Sequence, residues 1–168
     1  MKHFIIIIFC LLSLSCDAGL APPPPVELGF SGTVYFSPGS WPKDSLNSLW
    51  IFASQIYPLD SAKVYSGLFS VPNTIFLYPS FTQSLPLSEV DSIPYSFPLN
   101  AGTYKYIGVI QQVSPDLITL GIRVFRVVGF YKDSTNRSQP GTVIVQDNYQ
   151  VKGININVDF RNSPPQPF

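Results

Sequence analysis

Apolar and polar positions alternate along much of this chain, which is the pattern of β-strands that bury one face. The alternation is clearest near the end, where Ile154, Ile156 and Val158 are interleaved with Asn155 and Asn157. Residues 48–55 are instead apolar almost throughout, which is typical of a strand that contacts protein on both faces. The pattern predicts strands over residues 30–36, 48–55, 67–71, 74–78, 95–99, 104–112, 118–131, 142–146 and 151–160.

Turn residues separate these segments at intervals of roughly ten residues. The sequence contains 17 Pro and 11 Gly, spread along its length, and so leaves little room for long helices. Residues 100–102 predict a hairpin between strands 95–99 and 104–112, and Asp147 with Asn148 predicts another between strands 142–146 and 151–160. Residues 118–131 are long enough for a helix, but their glycines and branched side chains favour a bulged strand. The expected fold is all-β, a single antiparallel β-sandwich of about seven or eight strands.

The first 15 residues have the organisation of a signal peptide. Lys2 and His3 supply the positive start, and residues 4–12 form an apolar run that is too short to span a bilayer. The following Leu-Ser-Leu-Ser-Cys, residues 12–16, resembles the lipobox of bacterial lipoproteins, although that family usually has leucine where Ser13 stands. The resemblance implies that Cys16 carries lipid and becomes the first residue of the mature chain. An ordinary cleaved signal peptide is the alternative.

Composition then divides the rest of the chain. Residues 16–28 are interpreted as lipid anchor and linker, because they contain Ala21 followed by four prolines, an extended stalk. A ligand for a proline-binding module is the alternative interpretation of this run. Residues 29–161 are expected to form the sandwich, and residues 162–168 a proline-rich C-terminal tail. Apart from Cys16 the only cysteine is Cys10, inside the signal peptide, so packing rather than disulfides must stabilise the domain.

Four segments of the domain resemble bacterial, Bacteroidota-like envelope lipoproteins that carry a transthyretin-like or carboxypeptidase-regulatory-like β-sandwich. They are residues 30–36 (FSGTVYF), 99–104 (LNAGTY), 140–145 (PGTVIV) and 151–160 (VKGININVDF). The resemblance implies a transthyretin-like or immunoglobulin-like fold and an outer-membrane location, facing the periplasm or the surface. Some relatives hold calcium in a loop, but residues 132–137 offer only one carboxylate and one amide, so no metal or other cofactor is expected.

Charge and side-chain chemistry narrow the function classes. Ten basic and ten acidic residues balance, which argues against a nucleic-acid partner. His3 is the only histidine and lies in the segment expected to be removed, and the mature domain lacks a free thiol. Ser40 and Lys43 have the Ser-x-x-Lys spacing of some acyltransferases, but Pro42 places them in a turn rather than on a helix. The prediction is therefore a non-catalytic structural or interaction module, attached to the membrane by its N-terminal lipid.

The partner is expected to be an unidentified envelope protein or a glycan. Trp41 and Tyr57 each precede a proline in a predicted loop, where large rings stack on sugar faces or fill a partner's pocket. Together with Trp50 they form the predicted contact set. The alternative function is accordingly a carbohydrate-binding module that uses these aromatic side chains.

Four serines follow aspartate and precede a small or aliphatic residue, or threonine. About half of one such triplet is expected by chance from eight aspartates. The triplet is similar to the O-glycosylation acceptor of secreted Bacteroidota proteins, and turn chemistry is the competing explanation. The predicted sites are Ser45, Ser61, Ser92 and Ser134.

Overall fold

The computed structural model describes residues 27–116 and 121–168. These residues are mostly β, with one α-helix and one 3₁₀ turn. The strands are β1 (Gly29–Phe36), β2 (Ser48–Ser54), β3 (Ile75–Tyr78), β4 (Ser92–Pro98), β5 (Gly102–Tyr104), β6 (Tyr106–Gln112), β7 (Phe125–Phe130), β8 (Val143–Val145), β9 (Gln150–Val151) and β10 (Ile156–Val158). The helix α1 spans Ser61–Phe69, and the 3₁₀ turn spans Gly121–Val124.

Two four-stranded sheets make up the body of the protein. In sheet A the strand order is β10-β1-β4, with β9 also paired to β1, and in sheet B it is β3-β2-β6-β7. Strands β5 and β8 form a separate two-stranded ladder. All pairs are antiparallel except β1 with β9 and β1 with β10, which are parallel.

The main core lies between the sheets. Strand β1 contributes Phe30, Val34 and Phe36 to this core while Tyr35 is exposed, so the predicted alternation is confirmed. Strand β10 likewise buries Ile156 and Val158, the alternation that is clearest in the sequence. Burying each such side chain contributes about 1.5–3 kcal/mol, so the sheets are held together mainly by this layer.

A second core covers the outer face of sheet B. Strand β2 places Ile51 in the main core and Trp50 and Phe52 in this second core, as its apolar run predicted. The covering layer comes from α1 through Val64 and from the chain's last residue, Phe168. Sheet B is therefore the middle layer of three, which is why its strands lack a polar face.

Both predicted hairpins are wrong. Strand β4 pairs with β1 in sheet A, whereas β6 pairs with β2 and β7 in sheet B, so residues 100–102 carry the chain between sheets. The hairpin predicted between residues 142–146 and 151–160 is also absent, because β8 pairs with β5 while β9 and β10 pair in parallel with β1. Apolar alternation identifies a strand, but it does not show which other strand forms backbone hydrogen bonds with it.

Three further expectations are corrected. Residues 67–71 were expected to form a strand, but residues 61–69 form α1 instead. The described residues also contain ten strands rather than seven or eight; three of them, β5, β8 and β9, are short and form two pairings, β5 with β8 and β1 with β9. The strand expected over residues 118–131 is shorter than predicted, because Gly121–Val124 form the 3₁₀ turn and only Phe125–Phe130 form β7. Its expected bulge is confirmed: Val109 and Ile110 of β6 pair with Gly129 and Val127, which leaves Val128 unmatched.

The C-terminal residues pack against the domain. The Gln166 side chain accepts a hydrogen bond from the Val127 backbone N–H at 2.8 Å and donates one to the Val127 carbonyl at 3.0 Å. One amide side chain thus takes the place of a neighbouring strand at the edge of β7. Phe168 extends this contact into the second core.

Candidate functional site

Helix α1 begins at a strong N-cap. Asp60 has extended backbone angles, and its carboxylate accepts a hydrogen bond from the Lys63 backbone N–H at 2.9 Å. The Lys63 ammonium lies 3.0 Å from the same carboxylate. The backbone hydrogen bond, followed by the hydrogen bond from the Lys63 side chain, lowers the pKa of Asp60. The cap therefore keeps its charge at neutral pH and fixes where the helix starts.

The two faces of α1 differ sharply. Val64 and Gly67 are buried, and a Cβ on Gly67 would lie 2.7 Å from the Ile75 side chain, so the helix packs very closely on β3. On the opposite face Tyr65 is 64% exposed and Phe69 is 53% exposed, with their rings 5.3 Å apart. These residues are four positions apart, the spacing that places side chains side by side on a helix.

Phe81 extends this exposed pair into a continuous surface. Its ring is 39% exposed and lies 6.1 Å from Phe69, edge to face. On its inner side it stacks on the buried Trp50, with centroids 5.6 Å apart and planes within 3°. The Trp50 indole N–H donates to the Gln83 carbonyl at 2.6 Å, which holds the Phe81 loop in place. We call Tyr65, Phe69 and Phe81 the aromatic surface.

A groove of about 320 Å³ lies beside the aromatic surface. Its lining includes Phe69 and Phe81 of the aromatic surface, Leu77 of β3, and Phe97 and Leu99 at the end of β4. The groove thus follows the gap between the edge of sheet B and the edge of sheet A. It adjoins a wider hollow of about 780 Å³ that Phe76, Tyr78 and Glu27 help to line.

The chemistry of the smaller groove is that of a binding surface. Its described lining contains no charged side chain, and its polar groups are the backbone and Asn73. In the wider hollow the Glu27 carboxylate accepts a hydrogen bond from the Ser96 hydroxyl at 3.0 Å. An uncharged lining of apolar and aromatic side chains suits the recognition of another chain or of a flat molecule.

The predicted glycan contacts do not come together. Trp41 is half-buried, packs on Phe36 at 4.7 Å, and donates its indole N–H to the Val90 carbonyl at 3.3 Å. Trp50 is only 2% exposed, so its place in a surface contact set is corrected: it supports the aromatic surface from below. Tyr57 is 40% exposed. It follows the end of β2 while Trp41 precedes its start, and the strand's seven residues span roughly 20 Å.

The four predicted glycosylation serines are all exposed. Ser61 is the first residue of α1 and Ser92 is the first residue of β4. Ser45 and Ser134 lie outside the helices and strands. The side chains of Asp60 and Asp133, which precede Ser61 and Ser134, accept local backbone hydrogen bonds, so both explanations of the triplets stay open. Cys16 and the rest of residues 1–26 lie outside the described residues.

The other side chains with shifted pKa values owe those shifts to burial or to local hydrogen bonds. Burial raises the pKa values of Tyr95 and Tyr106, and the Tyr95 hydroxyl donates to the Ile154 carbonyl. The carboxylate of Asp133 accepts hydrogen bonds from the hydroxyl and backbone of Thr135, which lowers its pKa. Within residues 27–116 and 121–168, no three His, Cys, Asp or Glu side chains gather as metal ligands.

The helix is the reason that sequence patterns missed the aromatic surface. Its signals were nonetheless present: Asp60 as a cap, then Val64 and Leu68 four apart, and Tyr65 and Phe69 four apart. Reading residues 67–71 as a strand separated Tyr65 from Phe69, so the pair was not seen as one patch. Nothing in the sequence indicated that Phe81 would join them, because that contact depends on how the β3–β4 loop folds over Trp50.

Comparison with known proteins does not assign a family: no family, no curated protein and no solved structure matches the chain. Within residues 27–116 and 121–168, no helix has the length and hydrophobicity that a membrane span requires.

Proposed function

We propose that this protein is a lipid-anchored, non-catalytic interaction module of the bacterial envelope, and that it contacts its partner through the aromatic surface. The observation that carries the proposal is the continuous exposure of Tyr65, Phe69 and Phe81 on a rigid support. Val71, beyond the end of α1, is 95% exposed and adds to the apolar character of this side of the protein. Exposed apolar patches of this kind mark interaction sites.

The aromatic surface is suited to protein recognition. Aromatic side chains are enriched in the centres of interfaces and among the residues that dominate binding energy. Here the stack of Phe81 on Trp50 and the helical position of Phe69 hold the rings in place before binding. Little side-chain freedom is therefore lost on contact, which favours affinity.

Site-specific photocrosslinking in cells of the native source tests this role. A photoreactive phenylalanine analogue replaces Phe69 in one variant and Tyr149 in another. Tyr149 is a matched control because it is 57% exposed and lies between the turn at residues 147–148 and the start of β9. We expect a discrete polypeptide adduct from position 69 and none from position 149. Equal labelling from both positions, or no adduct from position 69, would refute the proposal.

The envelope attachment is supported by the signal peptide pattern and by the lipobox-like residues 12–16. The transthyretin-like type of sandwich is proposed on the four resembling segments, and the core between sheets A and B is consistent with that architecture. Metabolic labelling with a palmitate analogue tests the anchor. The parent protein should be labelled and the Cys16→Ala variant should not, and equal labelling of the two would exclude Cys16 as the acylated residue.

Glycan capture is the second candidate function, and the adjacent rings of Tyr65 and Phe69 favour it because sugar faces stack on such rings. Trp50 provides a built-in reporter, since it stacks directly under Phe81. In a Trp41→Phe background, oligosaccharides bound at the aromatic surface should change the fluorescence of Trp50. A panel of envelope oligosaccharides that leaves this signal unchanged while a crosslinked polypeptide is found would decide for the protein partner.

We further propose that Ser45, Ser61, Ser92 and Ser134 are O-glycosylated in the native host. Their exposure supports access by a modifying enzyme. Intact-mass analysis of protein from that host tests the idea, and a mass without added hexose would end it.

A further inference from the structure

A cavity of about 400 Å³ lies between β7 at the edge of sheet B and β10 at the edge of sheet A. The two strands approach closely, since a Cβ on Gly129 would lie 2.3 Å from the Asn157 carbonyl oxygen. This β7–β10 cavity shares no lining residue with the groove beside the aromatic surface. Its volume is in the range of small-molecule sites, so it is a second place where a ligand fits.

The lining of the β7–β10 cavity combines apolar and hydrogen-bonding residues. Its apolar members are Val128, Phe130, Val158, Pro164 and Pro165. Ser138, Asn157 and Asn162 are exposed polar residues of the same lining. A few polar groups beside apolar surface fix the orientation of a ligand that has both characters. A sugar ring is such a ligand, because its C–H faces are apolar and its edges carry hydroxyl groups.

Two basic residues, Lys132 and Arg137, add positive charge to this lining. Both are exposed, and neither forms an ion pair with a described residue, since the one ion pair there joins Lys63 to Asp60. The guanidinium of arginine presents a planar fork of donors that matches a carboxylate or a phosphate, and the lysine ammonium adds a point charge. The two residues therefore suit an anionic group on the ligand.

One carboxylate, that of Asp159, belongs to the same lining, but its oxygens are bonded within the chain. They accept hydrogen bonds from the backbone N–H groups of Arg161 and Asn162, at 2.9 and 3.2 Å, and from the Asn162 side-chain amide at 3.0 Å. Two cations against one anion leave the lining positive overall. Charge complementarity thus favours an anionic sugar over a neutral or cationic one.

The loop that carries Arg137 and Ser138 is held in place by its own hydrogen bonds. The Ser138 N–H donates to the Asn136 side-chain oxygen at 3.1 Å, and the Gln139 N–H donates to the Asn136 carbonyl at 2.9 Å. From outside the loop, the Tyr57 hydroxyl donates to the Gln139 side-chain oxygen at 3.1 Å. The backbone of the loop is therefore set before a ligand arrives, which lowers the entropic cost of binding.

We propose that the β7–β10 cavity binds an acidic sugar, whose anionic group is held by Arg137 and Lys132. The hydroxyl groups of the sugar bond the polar residues of the lining, and its C–H face contacts the apolar ones. The site is separate from the aromatic surface, so the protein holds an acidic glycan at one place and its partner at another. The anionic group is a carboxylate in a uronic acid and a phosphate in a sugar phosphate, and Arg137 accommodates either.

Ligand-observed saturation-transfer NMR with the purified full-length protein tests this site. Glucose, galactose and mannose are each compared with their uronic acid and their 6-phosphate, so that only the anionic group differs within a set. We expect an anionic member to bind at least tenfold more tightly than its neutral parent, and the tighter of the two anions identifies the group. Equal binding of neutral and anionic sugars, or no binding of any anion, would overturn the proposal.

The variants Arg137→Gln and Arg126→Gln locate the bound sugar. Arg126 is a matched control because it is exposed on β7 but does not line the β7–β10 cavity. Arg137→Gln should weaken binding of the anionic sugar about tenfold, the effect of losing a charge-assisted hydrogen bond, and Arg126→Gln should leave it unchanged. Unchanged binding in Arg137→Gln, or an equal loss in both variants, would refute this site. The photocrosslink from position 69 should persist in Arg137→Gln, so each proposal can fail while the other stands.

Discussion

Replacing Gln166 by alanine is expected to destabilise the protein although the residue lies two positions from the end of the chain. Its side chain accepts from the Val127 N–H at 2.8 Å and donates to the Val127 carbonyl at 3.0 Å. Val127 has 0% exposed surface, so the substitution leaves two buried backbone groups without this partner. At about 1 kcal/mol for each hydrogen bond, the loss in the free energy of unfolding is about 2 kcal/mol.

Thermal unfolding followed by circular dichroism measures this effect. For a domain of this size, about 2 kcal/mol corresponds to a fall in the melting temperature of about 4 to 8 °C. Gln139→Ala is the matched control, because Gln139 is exposed and bonds only the exposed hydroxyl of Tyr57 through its side chain. The control should melt like the parent.

The variant Gln166→Glu tests the bond to the carbonyl. A carboxylate still accepts from the Val127 N–H, but its second oxygen replaces the donating NH2 group 3.0 Å from the Val127 carbonyl oxygen. Because two acceptors repel at that distance, its stability should fall at least as far as that of Gln166→Ala. If Gln166→Ala melts within about 1 °C of the parent, the inference that one side chain closes the β7 edge is wrong.

Three further outcomes follow from local geometry. Gly129→Ala should lower the free energy of unfolding by about 1–3 kcal/mol in urea titrations, because its Cβ would lie 2.3 Å from the Asn157 oxygen; unchanged stability would contradict that packing. Asp60→Ala should reduce the helical circular dichroism signal, because the helix loses its N-cap. In the parent, the pKa of Asp60 is lower in the folded than in the unfolded state, so the cap's contribution to stability should be lost as the pH falls through the folded-state pKa. Tyr95 is neutral in the folded protein because burial raises its pKa, so folding stability should hold below about pH 10 and decline above it; early tyrosinate absorbance without unfolding would disprove this.

The strands with one-sided or two-sided burial were predictable from the sequence. The alternation in residues 30–36 and the continuous apolar run at residues 48–55 gave β1 and β2 within one residue at each end. Whether a residue is buried selects its side chain, so burial can be predicted from the pattern of apolar and polar residues. Strand pairing is made by the backbone and does not appear in that pattern, which explains why both hairpin predictions were wrong while most of the strands were predicted.

The candidate site was less predictable for a related reason. The sequence predicts Trp41 and Trp50 as contacts because large rings stack on sugar faces or fill a partner's pocket. In the structure both indole N–H groups donate to backbone carbonyls, those of Val90 and Gln83, and these bonds hold the rings inward. The sequence shows ring types without showing which backbone oxygen lies within reach. Exposure of Phe69 and Phe81 depends on the same tertiary detail, since Trp50 occupies the buried position beneath them.

The position of Glu27 links the aromatic surface to the proposed anchor. Glu27 lines the hollow that adjoins the groove, so the described chain starts on the side of the protein that carries the aromatic surface. If Cys16 carries lipid, the ten residues between it and Glu27 reach at most about 35 Å when fully extended. A domain of this length has a radius of gyration of about 15 Å, so the aromatic surface stays within roughly two domain radii of the membrane. The partner is then expected on a component of the same membrane or directly beside it. Lengthening the linker should therefore shift the photocrosslinks from Phe69 to other polypeptides, whereas a freely diffusing partner would be captured at any linker length.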